Sequence, residues 1–61
     1  MQKFNVFKSA TLVQVVEAED IMEAAEKVGL SHPKMSKHEN SVWQWFEEGE
    51  RSFAIEIYEQ E

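Results

Sequence analysis

Residues 20–30 read DIMEAAEKVGL, and this stretch predicts a helix over residues 20–28. Asp20 is followed three residues later by Glu23, which is the capping-box pattern of a helix start. Gly29 suits the left-handed position that ends a helix, and Leu30 can make the apolar contact that accompanies it. Apolar residues at helical spacing predict one buried face, formed by Ile21, Ala24, Ala25 and Val28.

The last third of the chain predicts two strands joined by a turn. Residues 41–46, SVWQWF, and residues 51–59 are rich in aromatic and β-branched side chains. Between them lies the turn, residues 47–50, in which Gly49 can supply a positive φ. We expect an antiparallel hairpin. Its last strand has two faces, Phe53, Ile55 and Ile57 on one and Ala54, Glu56 and Tyr58 on the other.

Residues 3–17 carry apolar side chains at both parities of a strand, and two interpretations fit this pattern. One is a long strand that bends or bulges near Lys8 and Ser9. The other is a hairpin that turns at the same two residues. The long bent strand is preferred, because the Asn-Gly or Asp-Gly pair favoured in hairpin turns is missing.

These elements predict a single α+β domain over residues 1–61. Its order is β-α-β-β, with an antiparallel sheet of three strands, or four if the first segment is a hairpin, and one helix packed on one face. We expect the helix to meet the Phe53, Ile55 and Ile57 face, with Trp43 or Trp45 filling the remaining gap. Residues 31–40 are expected to be a polar connector, in which Pro33 blocks continuation of the helix.

Size and charge restrict the possible partners. The chain has 61 residues, with 12 acidic and 6 basic side chains and a net charge of -6. This balance disfavours direct binding to nucleic acid or to an anionic membrane. No secretory signal or transmembrane stretch is recognisable, which predicts a cytoplasmic protein. So short a chain without cysteine gains stability most naturally by self-association, so we expect a homodimer.

The sequence offers little chemistry. His32 and His38, with Glu39 beside them, lack the three or four convergent ligands that a zinc site requires. No serine stands in a recognisable nucleophile context, and a small sheet with one helix leaves little room for a substrate pocket. We therefore expect a protein that is not an enzyme and that holds neither a metal nor another cofactor.

Two groups of residues are candidates for contact with a partner. The first is acidic, and its carboxylates could occupy a basic groove of a nucleic-acid-binding protein or simply be solvated. Its members are Glu19, Glu23, Glu26, Glu47, Glu48, Glu50 and Glu56. The second is aromatic and could be core or an exposed interface, since one helix covers only one face of a sheet. Its members are Trp43, Trp45 and Tyr58.

Residues 16–26, VEAEDIMEAAE, form a strand-to-helix junction with an Ala-Glu-x-x-x-Glu-Ala-x-Glu run. This junction resembles the one in the small acidic RNA polymerase inhibitors of T7-like phages, over about a fifth of the chain. Small size and acidity also resemble phage-encoded inhibitors more generally. The resemblance implies a non-enzymatic inhibitor in the host cytoplasm, whose acidic surface engages a host nucleic-acid enzyme or defence complex. It assigns no role to an individual residue. The homodimeric assembly module with a self-associating sheet face remains the alternative.

Overall fold

The computed structural model describes residues 1–36 and 40–60, and these form an antiparallel five-stranded sheet with one helix packed on it. The elements are β1 (Gln2–Lys8), β2 (Thr11–Ala18), α1 (Ile21–Val28), β3 (Lys34–Met35), β4 (Ser41–Glu48) and β5 (Arg51–Glu59). Their order across the sheet is β2-β1-β5-β4-β3. The α+β class and the single helix on an antiparallel sheet are confirmed. The predicted β-α-β-β order is incomplete, because the described residues contain five strands where three or four were expected.

The first of these additional strands arises because residues 3–17 form a hairpin. β1 and β2 pair antiparallel over their full lengths, so the preferred long bent strand is wrong and the alternative hairpin is correct. The turn residues Ser9 and Ala10 both have positive φ, 52° and 65°. Two successive positive φ angles give the mirror-image turn whose twist matches that of the flanking strands. The Ser9 amide also donates a hydrogen bond of 3.2 Å to the carbonyl of Ala54, which ties the turn to β5.

A bulge is present inside this hairpin. The pairing shifts between Val6 and Phe7, which leaves Val13 as an extra residue on β2. The bulge reverses which residues of β2, odd-numbered or even-numbered, lie on a given face. Leu12 pairs with Phe7 on one side of the bulge, and Val15 pairs with Asn5 on the other, yet both lie on the same face of the sheet. Apolar residues of both parities in β2 therefore come to the same face of the sheet.

The helix begins and ends at the predicted caps. The Asp20 carboxylate accepts a hydrogen bond of 2.8 Å from the amide of Glu23. Gly29 has a φ of 99°, and the amide of Leu30 donates to the carbonyl of Ala25 at 2.9 Å, which completes the predicted C-terminal cap. These bonds satisfy backbone groups that the short helix cannot pair internally.

The core lies between the helix and one face of the sheet. It consists of nine apolar residues: Phe4, Val6, Ala18, Ile21, Ala24, Ala25, Leu30, Val42 and Ile57. The predicted helix face is therefore confirmed, with Val28 partly buried against the core. On β5, Ile57 is fully buried and Ile55 packs beside it, whereas Phe53 is only half-buried and stacks on Phe46.

The expectation that Trp43 or Trp45 fills the core is wrong. Val42 pairs with Ile57 and is fully buried beneath the helix, so the next residue, Trp43, points to the opposite face. Trp45 lies on that face too, opposite Ala54. The largest fully buried side chains are instead Phe4, Ile57, Val6 and Val42.

The connector after the helix is partly structured. Lys34–Met35 forms the short strand β3, which pairs with β4 at the edge of the sheet. Before it, the amide of His32 donates a hydrogen bond of 2.8 Å to the side chain of Gln44. The predicted polar connector over residues 31–40 therefore contains the strand β3, and the part of it at residues 37–39 lies outside the described residues.

Candidate interaction surfaces

The face of the sheet opposite the helix carries a group of apolar and aromatic side chains. Residues paired directly across antiparallel strands lie on the same face, so the register identifies this surface. Phe7 and Trp43 both pair with Glu56, while Trp45 pairs with Ala54. We call this surface the open face and define it by Phe7, Leu12, Val15, Trp43, Trp45 and Tyr58.

Several of these side chains are accessible. Trp45 exposes 59% of its surface, and Leu12 and Val15 expose about half of theirs. Phe7 and Tyr58 are half-buried and meet edge to face, with ring centroids 5.7 Å apart and planes at 82°. This contact fixes the orientation of both rings, so the centre of the open face is a preformed aromatic surface.

Polar groups are placed among these rings. The hydroxyl of Tyr58 donates a hydrogen bond of 2.5 Å to the carboxylate of Glu56, which lies between Phe7 and Trp43 in its row. The ammonium group of Lys34 lies 5.3 Å from the ring centroid of Trp43. Glu56, which the sequence groups with the acidic residues, therefore belongs to the aromatic surface.

The remaining acidic candidates divide into two sets. The helix acidic set is Glu19, Glu23 and Glu26, and the hairpin acidic set is Glu47, Glu48 and Glu50. Glu17 lies just before the helix and pairs with Lys3 across β1 and β2. The carbonyl of Lys3 accepts a hydrogen bond from the amide of Gln60, which places the helix acidic set near the C-terminal end of β5. Glu48 pairs with Arg51 at the other end of β5. The nine residue-to-residue steps from Arg51 to Gln60 correspond to roughly 30 Å of strand, so the sheet holds the two sets near opposite ends.

Glu23 has a local structural role. Its carboxylate accepts a hydrogen bond of 3.4 Å from the amide of Glu19 and forms an ion pair of 3.5 Å with Lys27. The ammonium group of Lys27 also donates to the carbonyl of Glu17 at 2.7 Å. Glu23 thus helps to fix the strand-to-helix junction, while Glu19 and Glu26 are exposed.

The hairpin acidic set lies on an overhanging hairpin. β1 ends at Lys8, which pairs with Ile55, so the first four residues of β5 extend past β1 together with the end of β4. These four residues correspond to roughly 13 Å of strand. A cleft of about 680 Å³ lies beneath the overhang, lined by Lys8, Ser9, Glu48, Arg51, Ser52 and Phe53. The ammonium group of Lys8 sits 4.5 Å from the Phe53 ring centroid at its wall.

The structure places few of the chemistry-bearing residues together. Within residues 1–36 and 40–60, no group of three His, Cys, Asp or Glu side chains is arranged to hold a metal ion. His32 is exposed, with its Nδ1 3.1 Å from the hydroxyl of Ser31. His38 and Glu39 lie outside the described residues.

The sequence predicts that the uncovered face shows one parity of the first strand, but not that Leu12 shares this face with Phe7 and Val15, which have the other parity. Phe7, Leu12 and Val15 join the aromatic residues only because β1 pairs with both β2 and β5. The available signal was the apolar character of both parities in residues 3–17. A two-sided strand of this kind indicates that a second apolar face exists, although it does not tell which residues share it.

Comparison of the chain with protein-family models, with curated proteins and with solved structures yields no match. In the part of the chain that the structure describes, no helix has both the length and the apolar character needed to cross a membrane.

Proposed function

We propose that this chain is a non-enzymatic, cytoplasmic protein-binding module whose contact surface is the open face. The observation that carries the proposal is the position of both tryptophans on a sheet face that the helix does not cover. An apolar surface exposed in this way gains free energy when a partner removes it from water. Tryptophan and tyrosine are also the side chains that most often anchor protein interfaces.

The distribution of polar residues supports the same proposal. Lys3 and Glu17 pair at one end of the open face, and Glu47 and Ser52 pair at the other. An apolar centre with a polar border is the usual anatomy of a protein interface. Glu56 would be buried by the partner, so the partner has to supply hydrogen-bond donors in addition to the Tyr58 hydroxyl.

The partner can be a second copy of this chain or a different protein. In the first case the chain is a homodimeric assembly module, and in the second it is an adaptor or inhibitor. Light scattering of the purified protein and of a Trp45→Glu variant separates the two, because self-association through the open face raises the mean mass of the unsubstituted chain but not that of the variant.

A charge inserted into the open face tests the proposal. Trp45→Glu is matched by Met22→Glu, because Met22 is 50% exposed on the helix and the added charge is the same. A tagged protein is used to isolate a partner, and each variant is then titrated with the purified partner. We expect Trp45→Glu to abolish binding and Met22→Glu to leave it unchanged. Equal binding by Trp45→Glu and the unsubstituted chain would refute the use of the open face.

The overhanging β4–β5 hairpin favours a second candidate function. Here the hairpin acidic set enters a basic groove of a host nucleic-acid enzyme or defence complex, as the resemblance to small acidic phage inhibitors implies. Because the helix acidic set lies roughly 30 Å away, one narrow groove can accept only one of the two sets. Charge pairing of this kind weakens as salt rises, whereas apolar contact does not.

Charge reversal distinguishes this second candidate from the first. Glu48 and Glu50 are replaced by lysine in one variant, and Glu19 and Glu26 in the control, so the net charge changes by the same amount and Glu47 at the border of the open face is left unchanged. The second candidate predicts that only the hairpin variant loses binding and its salt dependence. Equal effects from both variants would show that the acidic residues contribute to binding only through the net charge of the chain.

A further inference from the structure

The strand β2 forms an exposed edge of the sheet. It spans eight residues, and in the described chain only β1 pairs with it. Along this edge Leu12, Val13 and Val15 are 51%, 53% and 47% exposed. Its outer backbone amides and carbonyls are available to another strand, so both the hydrogen-bonding groups and the apolar side chains of an interface are present.

The two edges of the sheet differ in their protection against pairing. β3, at the other edge, is only two residues long and includes Lys34. Short length and lysine are two of the features by which proteins block edge-to-edge association. β2 is four times longer, contains neither lysine nor proline, and has its single charge at Glu17 near its end. The bulge at Val13 is its one protective feature, and residues 14–18 pair with β1 in regular register.

We propose that β2 pairs antiparallel with β2 of a second copy of this chain and joins the two sheets into one. The two copies are related by a two-fold axis perpendicular to the joined sheet, which keeps each side chain on its own face. Directly opposed residues share a face, so the residue on the axis must lie opposite its own copy. We place Val15 on the axis, because it is the exposed valine of the regular segment. Gln14 then faces Val16 of the second copy, and Val13 faces Glu17 of the second copy.

This arrangement suits a second copy of this acidic chain. Each Glu17 lies opposite a valine and away from the other Glu17, so like charges are separated along the seam. The helix acidic sets lie at opposite ends of the seam, because the strands run antiparallel. On the open face, the two copies of Val15 meet at the centre of the seam. Two open faces become one larger surface, and this inference holds whether or not that surface has a further partner.

The expected dimer is reversible and concentration-dependent. Pairing along one strand buries less area than the roughly 1,200–2,000 Å² typical of stable interfaces, so we expect micromolar affinity. Sedimentation equilibrium from about 1 μM to about 300 μM covers the range of such a dissociation constant. The mean mass should rise from that of a monomer to that of a dimer. A strict monomer at the upper concentration would overturn the proposal.

Disulfide cross-linking locates the contact, because the chain contains no cysteine of its own. Opposed residues of antiparallel strands have Cα atoms about 4.5–5.5 Å apart, within the range that a disulfide spans. Val15→Cys should therefore cross-link at least about tenfold faster than the open-face control Trp45→Cys, because pairing raises the effective concentration of its thiols. Faster cross-linking of Trp45→Cys would show that the copies meet by stacking their open faces, and would overturn edge pairing.

Lysine substitution provides an independent test that does not require oxidation. Val15→Lys should remain monomeric at all concentrations, while Met22→Lys on the helix should dimerise like the unsubstituted chain. Circular dichroism of each variant confirms that the fold is kept. Dimerisation of a folded Val15→Lys variant would also overturn the proposal, and neither result alters the separate test of partner binding with Trp45→Glu.

Discussion

The opposite orientation of two side chains in β4 leads to a quantitative prediction about stability. Val42 is fully buried beneath the helix, whereas Trp45, three residues later, is 59% exposed on the open face. From side-chain size alone, Trp45 would be expected to contribute more to the core. The structure reverses this ranking, so Val42→Ala should destabilise the protein more than Trp45→Ala.

The magnitude for Val42→Ala follows from the groups removed. Two methyl groups at about 0.8 kcal/mol each contribute about 1.6 kcal/mol. A cavity of roughly 50 Å³, at about 24 cal/mol per Å³, adds about 1.2 kcal/mol if the surrounding core does not collapse. We expect a loss of about 2–3 kcal/mol in the free energy of unfolding after partial relaxation. Trp45→Ala should lower the free energy of unfolding by about 1 kcal/mol, mainly because alanine has a lower strand propensity than tryptophan. The same preference acts in Val42→Ala.

Thermal and urea denaturation measure this difference. A domain of this size shifts its Tm by about 4–8 °C per kcal/mol, so Val42→Ala should melt roughly 10–20 °C lower than the unsubstituted protein. All samples are compared at one protein concentration, because self-association would otherwise contribute to the measured stability. A larger loss for Trp45→Ala than for Val42→Ala would refute the assigned register of β4 and, with it, the open face.

Three further predictions concern the backbone at the helix caps and the first turn. Asp20→Ala removes the 2.8 Å bond to the amide of Glu23 and should lower the free energy of unfolding by about 1 kcal/mol in urea denaturation, while an unchanged midpoint would contradict the cap. Gly29→Ala should cost about 1–2 kcal/mol by thermal melting, because φ is 99° although no atom lies within 4 Å of an added Cβ, and a neutral result would mean that the helix ends differently. Replacing Ser9 and Ala10 by Asn and Gly should raise the Tm by several degrees, because both positions have positive φ, and destabilisation would contradict the mirror-image turn.

The helix and the last hairpin could be predicted because local sequence determines them. Asp20 and Glu23 mark the start of the helix and Gly29 its end, through bonds between residues at most five apart. Gly49 similarly marks the turn between β4 and β5, where its φ is 64°. Each of these signals is a conformational preference of the residue at that position, so no knowledge of the tertiary structure is required.

The first hairpin and the position of the tryptophans could not be predicted in this way. Ser9 and Ala10 have no particular preference for positive φ, and their turn is held by pairing of β1 with β2 and by the bond to Ala54. The face of Trp43 depends on which side of β4 the helix covers, and that is decided by the pairing of Val42 with Ile57. A strand with apolar residues on both faces leaves this choice to long-range contacts.

The accessibility of Trp45 is the most direct test of the open face. Both tryptophans of the chain lie on this surface, so Trp43→Phe leaves Trp45 as the single reporter. Acrylamide quenching of its fluorescence is measured on the folded protein and again in denaturant. If Trp45 is accessible, acrylamide should quench its fluorescence nearly equally in both states, and the emission maximum of the folded protein should be typical of indole in water. Strong protection and blue-shifted emission in the folded monomer would contradict the open face and the binding function proposed for it.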